Sequence, residues 1–204
     1  MVTSTPSLSV SERHALADLL AEVGPGAPTC CEGWTTAHLA AHLVIRDRRP
    51  DSAPGAVLGG PFGAWTARLL ERTRLERDYA DLVRDVRSGP PRWSPTAWPA
   101  VDRLVNTAEM AVHHEDVRRA QPGWEPRVLP RSAQDQLWGA VPFLARAGRA
   151  DHPGGLLFRR TDVEGVEKLV KKGDTVTSVA GEPMELLFWA GGRDAARVTV
   201  TPPT

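Results

Sequence analysis

Apolar residues recur at helical spacing through most of the first 150 residues of the chain, which indicates amphipathic helices. Residues that begin and end helices bound four such segments. The predicted helices run from Ser9 to Gly24, from Thr35 or Thr36 to Pro50, from Pro61 to Gly89, and from Pro99 to Gln121. For the first helix, the spacing of Ser9 and Glu12 predicts a capping box. Four helices joined by loops predict a helical bundle.

The pattern changes after about residue 150, where short β-branched runs are broken by glycine. A fifth helical segment, Ser132 to Arg149, precedes the change, and Pro142 within it predicts a kink or a break. The runs predict strands over residues 156–160, 175–179 and 197–201 and a helix over 183–190. We therefore expect an α+β fold, with a helical-bundle domain over residues 1–150 and a small α+β domain over residues 151–204.

Composition excludes several classes of protein. Lys+Arg and Asp+Glu both total 25, so the net charge is zero and no basic surface for nucleic acid is indicated. No segment approaches the roughly 18 apolar residues of a membrane span, and the N-terminus lacks the pattern of a secretory signal. Cys30 and Cys31 are adjacent, which disfavours a disulfide between them and predicts reduced thiols. A cytoplasmic protein without nucleic-acid or membrane partners is expected.

Histidine and glutamate residues on two predicted helices form a candidate metal site. Glu109 and His113 are four residues apart, so they project from one helix face and can bind the same ion. His42, between Leu39 and Leu43 on the second helix, is the best third ligand. Two histidines and one carboxylate leave an open coordination position, which is typical of catalytic zinc. Spacing alone leaves open an ordinary surface pair and a core histidine.

Three segments carry a resemblance to a known family. The sequences CEGWTT at 31–36, HLAAHL at 38–43 and EMAVHHEDV at 109–117 resemble the mycothiol-dependent maleylpyruvate isomerase family of DinB-like metalloproteins. The resemblance extends over nearly the whole chain and implies a metal-binding DinB-like four-helix bundle followed by a small α+β domain. It also implies that His42, Glu109 and His113 are the metal ligands. Family members include isomerases, thiol transferases and metal-binding proteins of unknown activity, and this chain is most similar to the last group.

Neighbouring residues have candidate supporting roles. His38, one turn before His42, is a partner of a metal ligand, a proton shuttle or a surface residue. Asp116 is a candidate to orient a histidine, as carboxylates next to metal-bound histidines commonly do. His114 is turned ~100° from His113 on the helix, so neither His114 nor Asp116 is expected to bind the ion itself.

Two further residues are candidates for binding or reactivity. Cys31 precedes a predicted helix N-terminus, where it is either a reactive thiolate or a buried apolar residue. Arg193, in a Gly-Gly-Arg element that resembles one in the family's second domain, is either a carboxylate-binding residue or a solvated turn residue. We expect the site to open toward the C-terminal domain, with Arg193 near the cleft.

The leading functional hypothesis is an enzyme with a divalent metal, most simply zinc, that uses the thiol mycothiol as cosubstrate. A metal-bound thiol is deprotonated at neutral pH and can attack a small electrophile, giving isomerisation or S-transfer. The alternatives are a metal-binding sensor or interaction module without turnover, and a metal-dependent hydrolase. The sequence does not indicate the electrophile or the oligomeric state.

Overall fold

The computed structural model describes residues 7–52 and 60–203, so predictions for residues 1–6, 53–59 and 204 lie outside it. The described residues form an α+β fold, as predicted. The helices are α1 Leu8–Val23, α2 Thr36–Arg48, α3 Gly60–Glu76, α4 Tyr79–Ser88, α5 Thr107–Arg118, α6 Arg131–Gly148 and α7 Pro183–Ala190. The strands are β1 Gly155–Arg160, β2 Glu167–Lys171, β3 Val176–Gly181 and β4 Thr199–Thr201. Within the described ranges, no helix combines the length and apolarity needed to cross a bilayer.

Four of the N-terminal helices, α1, α2, α4 and α5, enclose one apolar core. Its fully buried side chains come from each of these helices and include Leu16, Leu20, Leu39, Leu43, Leu82 and Met110. On α1, α2 and α4 the buried apolar side chains recur at three- and four-residue intervals, so each of these helices turns one apolar face inward. Packing in this core determines which face of α2 and which face of α5 turn toward it.

The capping prediction for α1 was wrong. The N-cap is Ser7, whose hydroxyl accepts a hydrogen bond from the Val10 N–H, and not Ser9. The Ser9 hydroxyl instead donates to the Asp102 carboxylate at 2.7 Å, and Glu12 is buried against His114 at 2.8 Å. Both side chains make long-range bonds that local spacing does not reveal.

The predicted third helix is divided into α3 and α4. The Asp78 carboxylate caps α4 by accepting hydrogen bonds from the N–H groups of Ala80 and Asp81. This cap marks the beginning of a separate helix. The end at Gly89 was predicted correctly, and of the two candidate caps of α2, Thr35 and Thr36, Thr35 is the N-cap. The sequence prediction did not identify Asp78 as a helix boundary, because the apolar spacing continues on both sides of it.

A π-helical turn precedes α5. The predicted fourth helix begins with one α-helical turn, Pro99–Val101, continues as a π-helix over Asp102–Asn106 and becomes regular α-helix at Thr107. Such insertions shift the helical phase and occur frequently at functional sites. The phase of α5 after this turn determines which of its residues face α2.

The C-terminal strands form one sheet in the order β2-β1-β3-β4. Strands β1 and β3 are parallel, and the other two pairs are antiparallel. The sequence prediction missed β2, none of whose residues is buried and whose charged pattern resembles a loop. Helix α6 continues through Pro142, so the break predicted there as one of two alternatives does not occur, and the helix packs against α7.

Helix α5 contributes to both cores. Its residues Ala108, Ala111 and Val112 pack in a second apolar cluster with α6, α7, β1 and β3, while Met110 belongs to the first. The second cluster therefore includes residues from before position 150, and the division at 150/151 stays a prediction. Because α5 packs against an apolar core on each of two sides, its orientation is fixed, and so are the positions of the side chains along it.

A buried ion-pair network adds polar contacts between the two cores. Arg119 donates to Glu115 and Glu185, each at 2.6 Å, and its own side chain is only 1% exposed. Arg127 donates to Glu12 at 2.8 Å and to Glu115 at 2.6 Å. The network thus connects α1, the end of α5 and α7.

We predict that Arg119→Met destabilises the protein by about 3–5 kcal/mol, because it leaves the buried carboxylates of Glu115 and Glu185 without this partner. The control is Arg72→Met, which removes an exposed pair with Glu76 and should cost about 0–1 kcal/mol. The measurement is the free energy of unfolding from urea titration. Equal, small losses for both variants would contradict the structural role of the network.

Candidate metal centre

Three side chains predicted as metal ligands converge between α2 and α5. The Nε2 atom of His42 lies 3.0 Å from Glu109 Oε1, and His113 Nε2 lies 3.3 Å from the same oxygen. One ligand atom from each residue falls within 4.8 Å of the other two. The donor set, two imidazole nitrogens and a carboxylate oxygen, suits Zn²⁺ and related divalent ions.

The three residues line an open cleft of about 930 Å³. One side of the cleft comes from the segment before α2, including Cys31 and Trp34, and the opposite side comes from the segment after α7, including Arg193. Residues from both ends of the chain therefore face the same space, and the cleft is large enough to admit a small molecule.

Asp116 lies behind His113, one turn further along α5. Its side chain is fully buried, and Oδ2 accepts a hydrogen bond from His113 Nδ1 at 2.8 Å. With the Nδ1 proton held by Asp116, an arriving ion would displace the proton on Nε2 and bind that nitrogen, which gives the tautomer that a metal-binding histidine needs. The position of Asp116 agrees with its expected orienting role, although that role stays a prediction.

Sequence reasoning missed two residues beside the ligands. Arg46, one turn after His42 on α2, places Nε 3.5 Å from Glu109 Oε1. Trp34 packs against His42 with ring centroids 5.3 Å apart and ring planes tilted by 53°. The signal in the sequence for Arg46 was its position four residues after His42, which places the two side chains on the same face of α2. These contacts restrain the Glu109 carboxylate and the His42 ring.

A second group of three possible ligand atoms, from Cys31, His113 and Asp116, also lies within 4.8 Å. The guanidinium of Arg193 already donates to Asp116 Oδ2 at 2.8 Å and lies 3.4 Å from Cys31 Sγ. A dication placed among these atoms would be repelled by that positive charge. Arg46 approaches the group with His42 and Glu109 at one oxygen only, 3.5 Å away, so this group remains the candidate metal site.

The pKa values at the site are strongly displaced from their ordinary values. Burial acts to raise the pKa of Glu109, but hydrogen bonds from His113 and His42 outweigh it and hold that pKa well below its usual range. Burial lowers the pKa of His42, whereas His113, despite its burial, has its pKa raised by Asp116, Cys31 and Glu109. The carboxylate is thus ionised and ready to bind a cation.

The other candidates are placed as follows. His38 lies at the start of α2, where its Nδ1 accepts a hydrogen bond from the Thr35 N–H at 3.2 Å and its Nε2 lies 3.8 Å from Glu71. Its polar contacts among the described residues are therefore away from the cleft. His114 bonds Glu12 on α1 and points away from His113.

Arg193 and Cys31 are both at the cleft. Arg193 forms a two-point ion pair with Asp116, with Nε donating to Oδ1 at 3.0 Å and Nη2 to Oδ2 at 2.8 Å. Cys31 is half-buried, with Sγ 3.2 Å from Asp116 Oδ2. The solvated-turn alternative for Arg193 does not fit these contacts, and its carboxylate-binding role stays a proposal.

The comparisons with known proteins show similarity at the level of the fold. No protein-family model matches the chain, and no curated protein matches it. Two solved structures are similar: mycothiol-dependent maleylpyruvate isomerase, with a TM-score of 0.56, and a histidine-to-alanine mutant of that enzyme, with a TM-score of 0.55. Each is 16% identical, and each alignment covers 97% of this chain and 92% of the other. The shared feature is the fold over nearly the full length, which agrees with the resemblance at that level.

The two adjacent thiols yield a prediction, because burial and the nearby charge of Asp116 raise the pKa of Cys30 to about 11. In a Cys31→Ser variant, the remaining thiol should react with iodoacetamide about 100-fold more slowly at pH 8 than a thiol of ordinary pKa. The rate should rise about tenfold per pH unit up to pH 9.5 without levelling. A rate that levels off near pH 8.5 would show an ordinary thiol and contradict the prediction.

Proposed function

We propose that the protein is an enzyme that holds one divalent cation, preferably Zn²⁺, between His42, Glu109 and His113, and that it uses a low-molecular-weight thiol. The observation that carries the proposal is the convergence of three ligand atoms on an open cleft. A structural zinc site closes its coordination with four protein ligands, whereas a catalytic site leaves a position for water or substrate. Three ligands at a cleft that admits small molecules are suited to catalysis.

An open cleft also distinguishes the enzyme from a simple metal-binding module. A sensor needs no space for a second reactant, yet this cleft has a volume of about 930 Å³. Space of this size accommodates a thiol and a small electrophile together, and holding both reactants in one site is itself a large source of rate enhancement. We expect the electrophile to be an anion, like the maleylpyruvate in the name of the similar enzyme.

Each neighbouring side chain would have a defined role. Asp116 holds the proton on His113 Nδ1, Arg46 restrains the Glu109 carboxylate, and Trp34 packs against the His42 ring. A bound dication would supply the remaining chemistry by lowering the pKa of a thiol so that it is a thiolate at neutral pH. The expected products are the isomer of an unsaturated acid or an S-substituted thiol.

Metal analysis of single variants tests the ligand assignment. We predict that the wild-type chain retains one Zn²⁺ after dialysis against a weak chelator, and that His113→Ala retains less than about a tenth of it, because two ligands bind a dication weakly. The matched control is His38→Ala on α2, one turn from His42, which should retain the full complement. Full zinc occupancy in His113→Ala would refute the assignment.

Thiol binding and turnover test the proposed activity. Calorimetry should show mycothiol binding to the zinc-loaded protein and at least tenfold weaker binding to the metal-free protein. Maleylpyruvate, with mycothiol present, should then be converted to its trans isomer, and His42→Ala should reduce the rate to background. Isomerisation that is equally fast without thiol would contradict the thiol-dependent step, whereas a cleavage product that has taken up water, formed without thiol, would support a hydrolase. Absence of thiol binding would leave only the metal-binding function.

A further inference from the structure

We propose that Arg193 is a positioning residue, which acts through Asp116 to fix the orientation of the metal ligand His113. This inference rests on the proposed metal site but goes beyond it, because it makes a residue from beyond α7 responsible for the geometry of a ligand on α5. The juxtaposition of His113, Asp116 and Arg193 along one chain of hydrogen bonds carries it.

The donor groups of Arg193 are almost all engaged within the protein. Its Nε and Nη2 atoms donate to the two oxygens of Asp116, and Nη2 also lies 3.4 Å from Cys31 Sγ. Its Nη1 atom donates to the Gly191 carbonyl. A guanidinium has five N–H groups, so about one is left to face the cleft. An arginine whose main task were to bind a substrate carboxylate would present its two-point edge to the cleft and not to Asp116.

Asp116 requires a fixed partner because it is buried. Its side chain is 0% exposed, and a buried carboxylate without compensating charge is strongly unfavourable. The two-point pair with Arg193 satisfies both oxygens and fixes the carboxylate plane. The same oxygen that accepts from Nη2 also accepts from His113 Nδ1, so the carboxylate plane determines the direction of that bond and the tilt of the imidazole ring.

Two glycines allow the arginine to reach Asp116. Gly192 has φ of +87°, a conformation that side-chain-bearing residues rarely adopt. A Cβ atom on Gly191 would lie 3.3 Å from Arg193 Nη1, which is closer than ordinary contact. The turn at the end of α7 is therefore shaped to direct the guanidinium back toward α5, and it connects the C-terminal sheet unit to the metal ligand.

The test is the zinc affinity of variants without any substrate, measured by competition with a chromogenic chelator. Arg193→Ala should weaken zinc binding about 10- to 100-fold, the usual effect of losing a partner behind a metal ligand. Arg193→Lys, which keeps the charge but loses the two-point geometry, should lie between it and the wild type. The control, Arg159→Ala, removes an exposed arginine of β1 that pairs with Glu167 and should leave affinity unchanged. The visible spectrum of the Co²⁺-loaded protein should change in Arg193→Ala and stay unchanged in Arg159→Ala.

A double-variant cycle shows whether Arg193 acts through Asp116. In an Asp116→Asn background, Arg193→Ala should cause little further loss, because the two residues act as one unit. Additive losses, or wild-type zinc affinity and Co²⁺ spectrum in Arg193→Ala with only KM raised, would overturn the inference and support direct substrate binding. Absence of zinc binding by the wild-type chain would instead refute the proposed metal site.

Discussion

The site depends on one carboxylate that faces two imidazoles. Glu109 Oε1 lies within 3.3 Å of Nε2 atoms from both His42 and His113, although these histidines belong to different helices. Such a group is stable only if the surrounding structure holds all three side chains close together and supplies compensating charge. Arg46 beside Glu109 and Asp116 behind His113 supply that charge.

The rest of the fold packs around α5 and fixes its position. Its small residues pack in one core with α6, α7 and the sheet, and Met110 packs in the other core with α1, α2 and α4. The buried pairs of Glu115 with Arg119 and Arg127 add charge-assisted bonds at its C-terminal end. A helix restrained in this way keeps Glu109, His113 and Asp116 in a constant relation, as a preorganised site requires.

The sequence predicted what depends on local periodicity and failed where long-range contacts decide. Helical spacing predicts the helices and the shared face of Glu109 and His113. The short β-branched runs after residue 150 predict the strands that complete the α+β class. Ser9 and Glu12 were misassigned because their partners, Asp102 and His114, are about 90 or more positions away. Strand β2 was missed because its exposed, charged residues carry no apolar alternation, and the contact of Arg193 with Asp116 spans 77 positions that no spacing rule covers.

X-ray absorption spectroscopy of the zinc-loaded protein, without added thiol, tests the central claim most directly. The account predicts a first shell of nitrogen and oxygen at about 2.0–2.2 Å, with the multiple-scattering pattern of two imidazoles and no sulfur. A sulfur scatterer at about 2.3 Å would place the ion on Cys31 and contradict the assignment to His42, Glu109 and His113.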